Sequence, residues 1–376
     1  MSVSTVSPIR VGLIGVGNWA MRGHLPILKL LPDYRITAVQ ARRRDVAEQA
    51  ARRFDVPYVL DTAEEVANHP EVDLVLVLTT APQHEAGIRA ALAAGKHVYS
   101  EWPLTTGTAT STELMRLAEA RGVKHVVGLQ RRLAPVTRYV HDLVGNGYVG
   151  KPRSVRMHVS MNYFQALRDK ALAWTAPPEN FSSVLAIYGG HFLDMLFAMT
   201  GWPVSVSGLA VNQFKNVIIA QTGEVIPTTT PDQLVLSGML PGNAVLTVHI
   251  EGGKRNGSGV RIDITGDAGD LRITNKSAFG DVGEDYLLQG ANGDNVPLVT
   301  LTPPESYEWL PASTLPSSVL ELGNLFAALA RDLRTGAREA PTFADGVRMH
   351  RLLDAIMLSS DTGRQVAVEG EARHAA

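Results

Sequence analysis

Along the chain the apolar positions change period twice, and each change marks a different kind of sheet. The first third alternates short apolar runs with helix-period segments. Val11, Leu13, Ile14 and Val16 lead into a glycine turn, and further strands are expected at 34–39, 72–78, 96–100 and 123–129, with a short apolar segment at 56–60. Between them lie helix patterns at 45–54, from Asp61 with Glu64 placed for a capping box, at 88–94 stopped by Gly95, and at 107–121. Strand and helix in alternation, with the strands near-continuously apolar, predict a doubly wound parallel sheet covered on both faces.

After the turn at 147–152 the period moves toward two. Half-buried strands are expected at 154–160, 204–213, 232–240, 243–251, 259–266 and 270–274, mostly antiparallel. Residues 165–182 read as irregular, 183–200 as two glycines followed by an apolar helix, and 275–314 as a long loop or insertion. Helices at 318–334 and 345–360, a short strand at 365–368 and a frayed tail complete the chain. The fold class is therefore α/β: a Rossmann-like doubly wound domain over 1–130, and over 131–376 an α/β domain with a largely antiparallel open sheet. The second domain is assigned substrate binding and oligomerisation, with its final segments able to pack back on the first.

Length and composition change this picture little. A chain of 376 residues favours two cores over one, and a net charge of −2 gives no global attraction to nucleic acid or an anionic membrane. No pair of DNA-reading helices is evident. With no cysteine, disulfides, thiolate catalysis and thiolate metal sites are excluded, and no compact cluster of histidines and carboxylates suggests another metal. The polar start at 1–8 lacks a secretory apolar core, and no run reaches the roughly 18 apolar residues of a membrane helix. A cytoplasmic protein without nucleic-acid or membrane contacts is expected.

The chemistry begins at Gly15-x-Gly17-x-x-Ala20. After a strand, the first glycine permits the tight turn, the second lets a pyrophosphate approach the backbone, and the small third residue keeps helix and strand close. Asn18 and Trp19 lie inside this turn. An NAD site would place a carboxylate at the end of strand two, whereas Arg42, Arg43 and Arg44 stand there. A guanidinium pair suits a 2′-phosphate, so NADP is favoured over NAD, with Arg42 and Arg43 as contacts. The plainer alternative is that these arginines solvate the next helix. Thr80 and His84, beyond the fourth strand, and Glu101 and Gln130, beyond later ones, complete the cofactor set, although packing or capping competes for His84. Trp102 can wall a sugar or nicotinamide ring but cannot exchange a proton.

In the second half, Tyr188-Gly189-Gly190-His191 opens the apolar helix, and Asp194 stands three positions beyond His191, on the same helical face. The titration range of His191 suits proton exchange with a hydroxyl substrate; the alternative makes it a helix cap oriented by Asp194. Tyr163, Tyr188, Asp194 and Trp102 form the candidate substrate contacts.

The ordered motifs, namely the glycine turn with His24-Leu25-Pro26, the Thr80 to His84 loop, Gly95-Lys96-His97-Val98, Glu101-Trp102-Pro103-Leu104, Gly189-Gly190-His191 and the segment 341–346, resemble the oxidoreductase family named for glucose-fructose oxidoreductase, inositol dehydrogenase and a rhizopine catabolism protein. The resemblance implies a nucleotide domain followed by a largely antiparallel sheet domain. It also implies a lysine where Trp102 stands and an aspartate where Ile187 stands, while His191 is retained. Those departures resemble the branch of the fungal galactose regulatory protein, which binds a nicotinamide dinucleotide yet represses through protein contacts.

Two functions follow. One is an NAD(P)-dependent oxidoreductase transferring hydride from a sugar, polyol or sugar derivative, with His191 as catalytic base. The other is a dinucleotide-binding sensor with little turnover and a regulatory protein partner. An exposed face of the second sheet favours a homodimer or homotetramer.

Overall fold

The computed structural model describes residues 7–256, 259–278 and 285–368. The start of the polar leader (1–6), part of the expected insertion (279–284) and the tail from 369 onward lie outside the described residues. The chain forms two compact units, Met1–Gln130 with Trp309–Val347 and Arg131–Glu308 with Arg348–Ala376.

The first unit is built on β1 (Ile9–Ile14), β2 (Tyr34–Gln40), β3 (Tyr58–Leu60), β4 (Leu74–Val77), β5 (His97–Ser100) and β6 (His125–Val127). They lie in the order β3-β2-β1-β4-β5-β6, and every neighbouring pair is parallel. The strand order reverses beside β1, which places the ligand crevice beyond the carboxyl ends of β1 and β4. Val11, Leu13 and the whole of β4 are fully buried, as expected of strands with helices on both faces. Gly12 belongs to the same packing, because a Cβ there would meet Val66 Cγ1 at 2.6 Å.

The helix after β3 starts one residue later than its pattern suggests. Thr62, not Asp61, caps Ala63–Asn68, and its partner is Glu65, not Glu64. The reason is reach: the Glu65 carboxylate accepts from the amides of both Asp61 and Thr62, at 2.8 and 3.2 Å. The returning segment is fastened by the Tyr34 hydroxyl, which donates to the Phe326 carbonyl at 2.6 Å, and by the Val127 amide, which donates to the Pro341 carbonyl at 2.9 Å.

The second unit contributes β7 (Pro152–Ser160), β8 (Leu167–Arg168), β9 (Ser205–Val211), β10 (Asn216–Ile219), β11 (Val225–Pro227), β12 (Gln233–Met239), β13 (Val245–Glu251), β14 (Gly259–Gly266), β15 (Gly269–Asn275), β16 (Leu287–Asn292), β17 (Val299–Thr300) and β18 (Val366–Ala367). Nine of them form one sheet in the order β17-β16-β15-β14-β7-β13-β12-β9-β18. Its pairs are antiparallel except β7 with β13. The small sheet β11-β10-β8 stands apart.

Two expectations are corrected here. The stretch 275–314 is not one loop, since β16 and β17 extend the sheet within it. Its glycine and asparagine content hides the alternation, and pairing with β15 decides the conformation. Residues 165–182 likewise contain β8 and two short 3-10 turns.

By composition alone Pro178–Thr200 is long and apolar enough to span a membrane, with mean hydropathy 1.3. It is not a run of roughly 18 continuous apolar residues, since Glu179, Ser182, Ser183, His191 and Asp194 interrupt it. Within the unit this is a core segment, because 78% of its apolar window is buried in the protein. A π-helical turn over Val184–Gly189, capped by the Ser183 hydroxyl, precedes the α-helix Gly190–Thr200.

His350, on the helix Phe343–Thr362, is 1% exposed and stacks on Phe181 with ring centroids 5.5 Å apart. Burial lowers its pKa from 6.5 to about 4. Below about pH 6.5 the unfolded chain binds a proton that the folded chain refuses until about pH 4. The stabilisation is therefore complete above that window and is lost as pH falls through it, by about 3 kcal/mol. Urea midpoints measured from pH 7 to 4 should drop more steeply for the native chain than for His350→Gln; parallel slopes would show that this group does not drive the loss.

Candidate functional site

In the first unit the glycine turn is built as its spacing requires. Gly15 has φ +90°, and a Cβ on it would lie 2.6 Å from Thr79 Cγ2 and 2.9 Å from the Thr79 amide nitrogen. Only glycine allows the loop after β4 to close against β1 in this way. Gly17 is the opposite case: a Cβ there would meet nothing within 4 Å. That open space is what an approaching pyrophosphate needs. Ala20 is buried and begins a π-helical turn, Ala20–His24, that runs into the α-helix Leu25–Leu30.

The π-turn places His24 beneath Glu101, just past β5. Glu101 Oε1 accepts from Trp19 Nε1 at 3.2 Å and from the Tyr99 hydroxyl at 3.1 Å, and it pairs with His24 Nε2. His24 is fully buried, edge-on to Tyr99 and Phe326 with centroids 5.5 and 5.7 Å away. One carboxylate thus ties the glycine turn to the end of β5. The residue pattern missed His24 and Tyr99 as parts of the site, although His24-Leu25-Pro26 flagged the position.

Two further atoms suit a ligand. Thr79 Oγ1 and Gln130 Oε1 are buried without a hydrogen-bond partner, a costly state unless a ligand or water completes it. Gln130 is one of the expected cofactor residues, and Thr79 stands one residue before the expected Thr80. Thr80 begins the helix Ala81–Ala93 without a side-chain cap.

His84 is 1% exposed, with Nδ1 2.8 Å from the Pro103 carbonyl and Nε2 2.9 Å from the Thr79 carbonyl. Both ring nitrogens face backbone, so His84 pins the two loops and is not disposed as a direct cofactor contact. Burial lowers its pKa.

At the end of β2 the arginines are exposed. Arg43 already pairs with Asp45, and Arg44 with Glu48 and Asp61, which is the local role that competes with phosphate binding. Arg42 has no ion pair among the described residues. Exposed pairs of this kind are weak and can be exchanged for a dianionic phosphate. Trp102 is 5% exposed and brings no titratable group.

In the second unit His191 is half-buried in the first turn of Gly190–Thr200. Tyr188 is 7% exposed, and burial raises its phenol well above 10; Tyr163 is 41% exposed. Asp194 corrects the sequence expectation. Its side chain is fully buried and both oxygens are taken by Arg132, through Nε at 2.9 Å and through Nη2. A buried carboxylate needs such a counter-charge, so Asp194 anchors Arg132 and is oriented by it rather than by His191. Arg131 stacks over Phe192 at 4.4 Å and donates to the Tyr286 hydroxyl and the Ala278 carbonyl at 3.0 and 2.8 Å.

No group of three or more metal-binding side chains exists among the described residues. The strand order and the glycine turn define a dinucleotide-binding α/β protein with an appended sheet domain. Residues 9–129 match the oxidoreductase family with an NAD-binding Rossmann fold known as GFO/IDH/MocA, and residues 135–275 match the C-terminal domain of Gal80p. The N-terminal segment thus matches this oxidoreductase family and the segment after it a Gal80p-like second domain. It is 25% identical over 324 residues to the galactose/lactose metabolism regulatory protein GAL80 of Saccharomyces cerevisiae, covering 79% of this chain and 74% of that one. It is also 25% identical over 377 residues to scyllo-inositol 2-dehydrogenase (NADP(+)) IolW of Bacillus subtilis, covering 97% of both. The crystal structure of a super-repressor mutant of Gal80p from S. cerevisiae superposes with a TM-score of 0.85 at 20% identity, covering 96% of this chain and 98% of that one; this likeness concerns the fold.

Gly17→Val should leave folding stability within about 0.5 kcal/mol, since its side chain enters open space, yet lower dinucleotide affinity at least about tenfold by calorimetric titration. Equal affinity would remove Gly17 from the site. Asp194→Ala should cost about 3–5 kcal/mol in denaturant unfolding, because it strands Arg132 in a buried setting; a loss below about 1 kcal/mol would contradict the anchoring role.

Proposed function

We propose that the chain is an NAD(P)-dependent oxidoreductase acting on a sugar, polyol or sugar derivative, with NADP preferred. The observations that carry this reading are the open space at Gly17 and the unpartnered Thr79 Oγ1 and Gln130 Oε1, with residues 9–129 matching an oxidoreductase family. The chain's similarity over 97% of its length to an NADP(+)-dependent scyllo-inositol dehydrogenase supports the substrate class and the cofactor choice.

Gly15, Gly17, Asn18, Trp19 and Ala20 form the pyrophosphate turn, held by Glu101. Thr80 and Gln130 line the cofactor side, and Arg42 and Arg43 receive the 2′-phosphate. A nicotinamide bound there supplies a two-electron hydride acceptor. His191 takes the proton of the substrate hydroxyl as its carbon is oxidised to a carbonyl. Trp102, Tyr163 and Tyr188 shape the substrate site. Leu209, Val235, Val245 and Leu287 are exposed on one face of the nine-stranded sheet, and this face joins copies of the chain into a homodimer or homotetramer.

A second reading rests on Trp102. An indole in place of the family's lysine removes a proton donor, and the match of residues 135–275 to the Gal80p C-terminal domain favours a dinucleotide-binding regulator with a protein partner.

Purified protein mixed with NADP or NAD and a panel of polyols, aldoses and sugar acids distinguishes the two by the absorbance of reduced cofactor. Turnover abolished by His191→Ala supports the enzyme; saturable cofactor binding with no turnover across the panel supports the regulator. The double substitution of Arg42 and Arg43 by Ala should weaken NADP binding more than NAD binding, and equal weakening would refute the 2′-phosphate contact.

A further inference from the structure

Arg168, on β8, is 4% exposed. Its Nε donates to the Gln165 carbonyl at 3.0 Å and its Nη1 to Thr175 Oγ1 at 2.6 Å. A guanidinium carries five N–H donors, and among the described residues these are its only hydrogen-bond partners. Among the described residues no carboxylate lies within ion-pair distance of 4.0 Å. Arg132, by contrast, is paired with Asp194. Asp232 raises the pKa of Arg168 through its field; its Oδ2 accepts from the amides of Gln213 and Phe214 at 2.7 and 2.9 Å, and its buried Oδ1 makes no hydrogen bond. Burial lowers the pKa of Arg168 to about 10, still far above neutrality, so the cation persists. A buried cation without a paired anion is costly.

The surroundings hold this cation in place. Phe164 lies under it, 5.0 Å from the guanidinium carbon, with φ +64°, a conformation that bulky side chains avoid. The same ring meets Tyr188 edge-on at 5.2 Å. Tyr188 feels the charges of both Arg168 and Arg131 and stands three residues before His191. A positive charge is thus held beside the segment proposed to handle the substrate proton.

We infer that Arg168 is an anion-binding residue of the substrate site, and that the substrate is a sugar acid whose carboxylate completes its unused N–H donors. This inference rests on the proposed function and narrows its substrate class. A planar guanidinium pairs with a carboxylate through two parallel hydrogen bonds, so the acid gains affinity that its neutral counterpart lacks.

The test is calorimetric titration of the full chain, with and without NADP, using aldonates and uronates of the gluco, galacto and manno series against the matching alditols and aldoses, plus the corresponding hexose 6-phosphates. At least one acid should bind about tenfold or more tightly than its neutral counterpart, a difference of about 1.4 kcal/mol. Arg168→Gln should reduce that preference to about twofold while NADP affinity stays unchanged, and Arg168→Lys should restore part of it. Thermal melts verify that each variant is folded, and the acid-to-neutral comparison in the native chain needs no variant. The inference is overturned if no acid binds more tightly than its neutral partner, if Arg168→Gln keeps the preference, or if a hexose phosphate is preferred to every acid. Failure of NADP to bind would instead refute the proposed function, while the acid preference would still be read in the cofactor-free titration.

Discussion

The first unit depends on one carboxylate. Glu101 gathers His24, Trp19 and Tyr99 on a single oxygen, and these donors come from the glycine-turn helix and from β5. In a low-dielectric setting such a network is stronger than isolated bonds and costly to leave half made. The fully buried His24 has no solvent to fall back on, so the turn, the π-helical kink and the end of β5 hold or fail together. The helix Ser317–Thr335 adds the lid of this arrangement through Phe326. Glu101 is thereby a positioning residue for the cofactor turn more than a free hand for the ribose.

The second unit solves a different electrostatic problem. Arg132 pairs with the buried Asp194, and Arg131 stacks over Phe192 and donates to the Tyr286 hydroxyl and the Ala278 carbonyl. Arg168 is left with neutral partners in contact and a carboxylate only at a distance. Trp102 brings no titratable group to the first unit.

Most of the architecture was legible in the sequence because burial wrote it there. β4 is apolar at every position since both faces are covered, and β12 to β15 alternate since one face is not. Where burial is partial the pattern fades: β16 carries glycine and asparagine and β17 two exposed residues, and it is pairing of β16 with β15 and of β17 with β16 that makes them strands. Gly15 and Gly17 were readable because their roles are backbone roles tied to spacing. His24 and Thr79 were not, since their importance comes from partners 77 residues away in one case and from a close approach to Gly15 in the other. Asp194 misled for a related reason: helical spacing put it beside His191, but the guanidinium that claims it sits 62 residues earlier.

The family match and the fold leave two occupations for the same cradle, turnover or regulation, and both require the cradle to bind a dinucleotide. Trp19 is 37% exposed and its indole is fixed on Glu101, which makes it an internal reporter. Titrating the full chain with NADPH while following tryptophan-to-nicotinamide energy transfer tests that claim directly. The account predicts saturable transfer at one dinucleotide per chain, diminished in Trp19→Phe; absence of saturable transfer, with no ligand-induced rise in melting temperature, would contradict it.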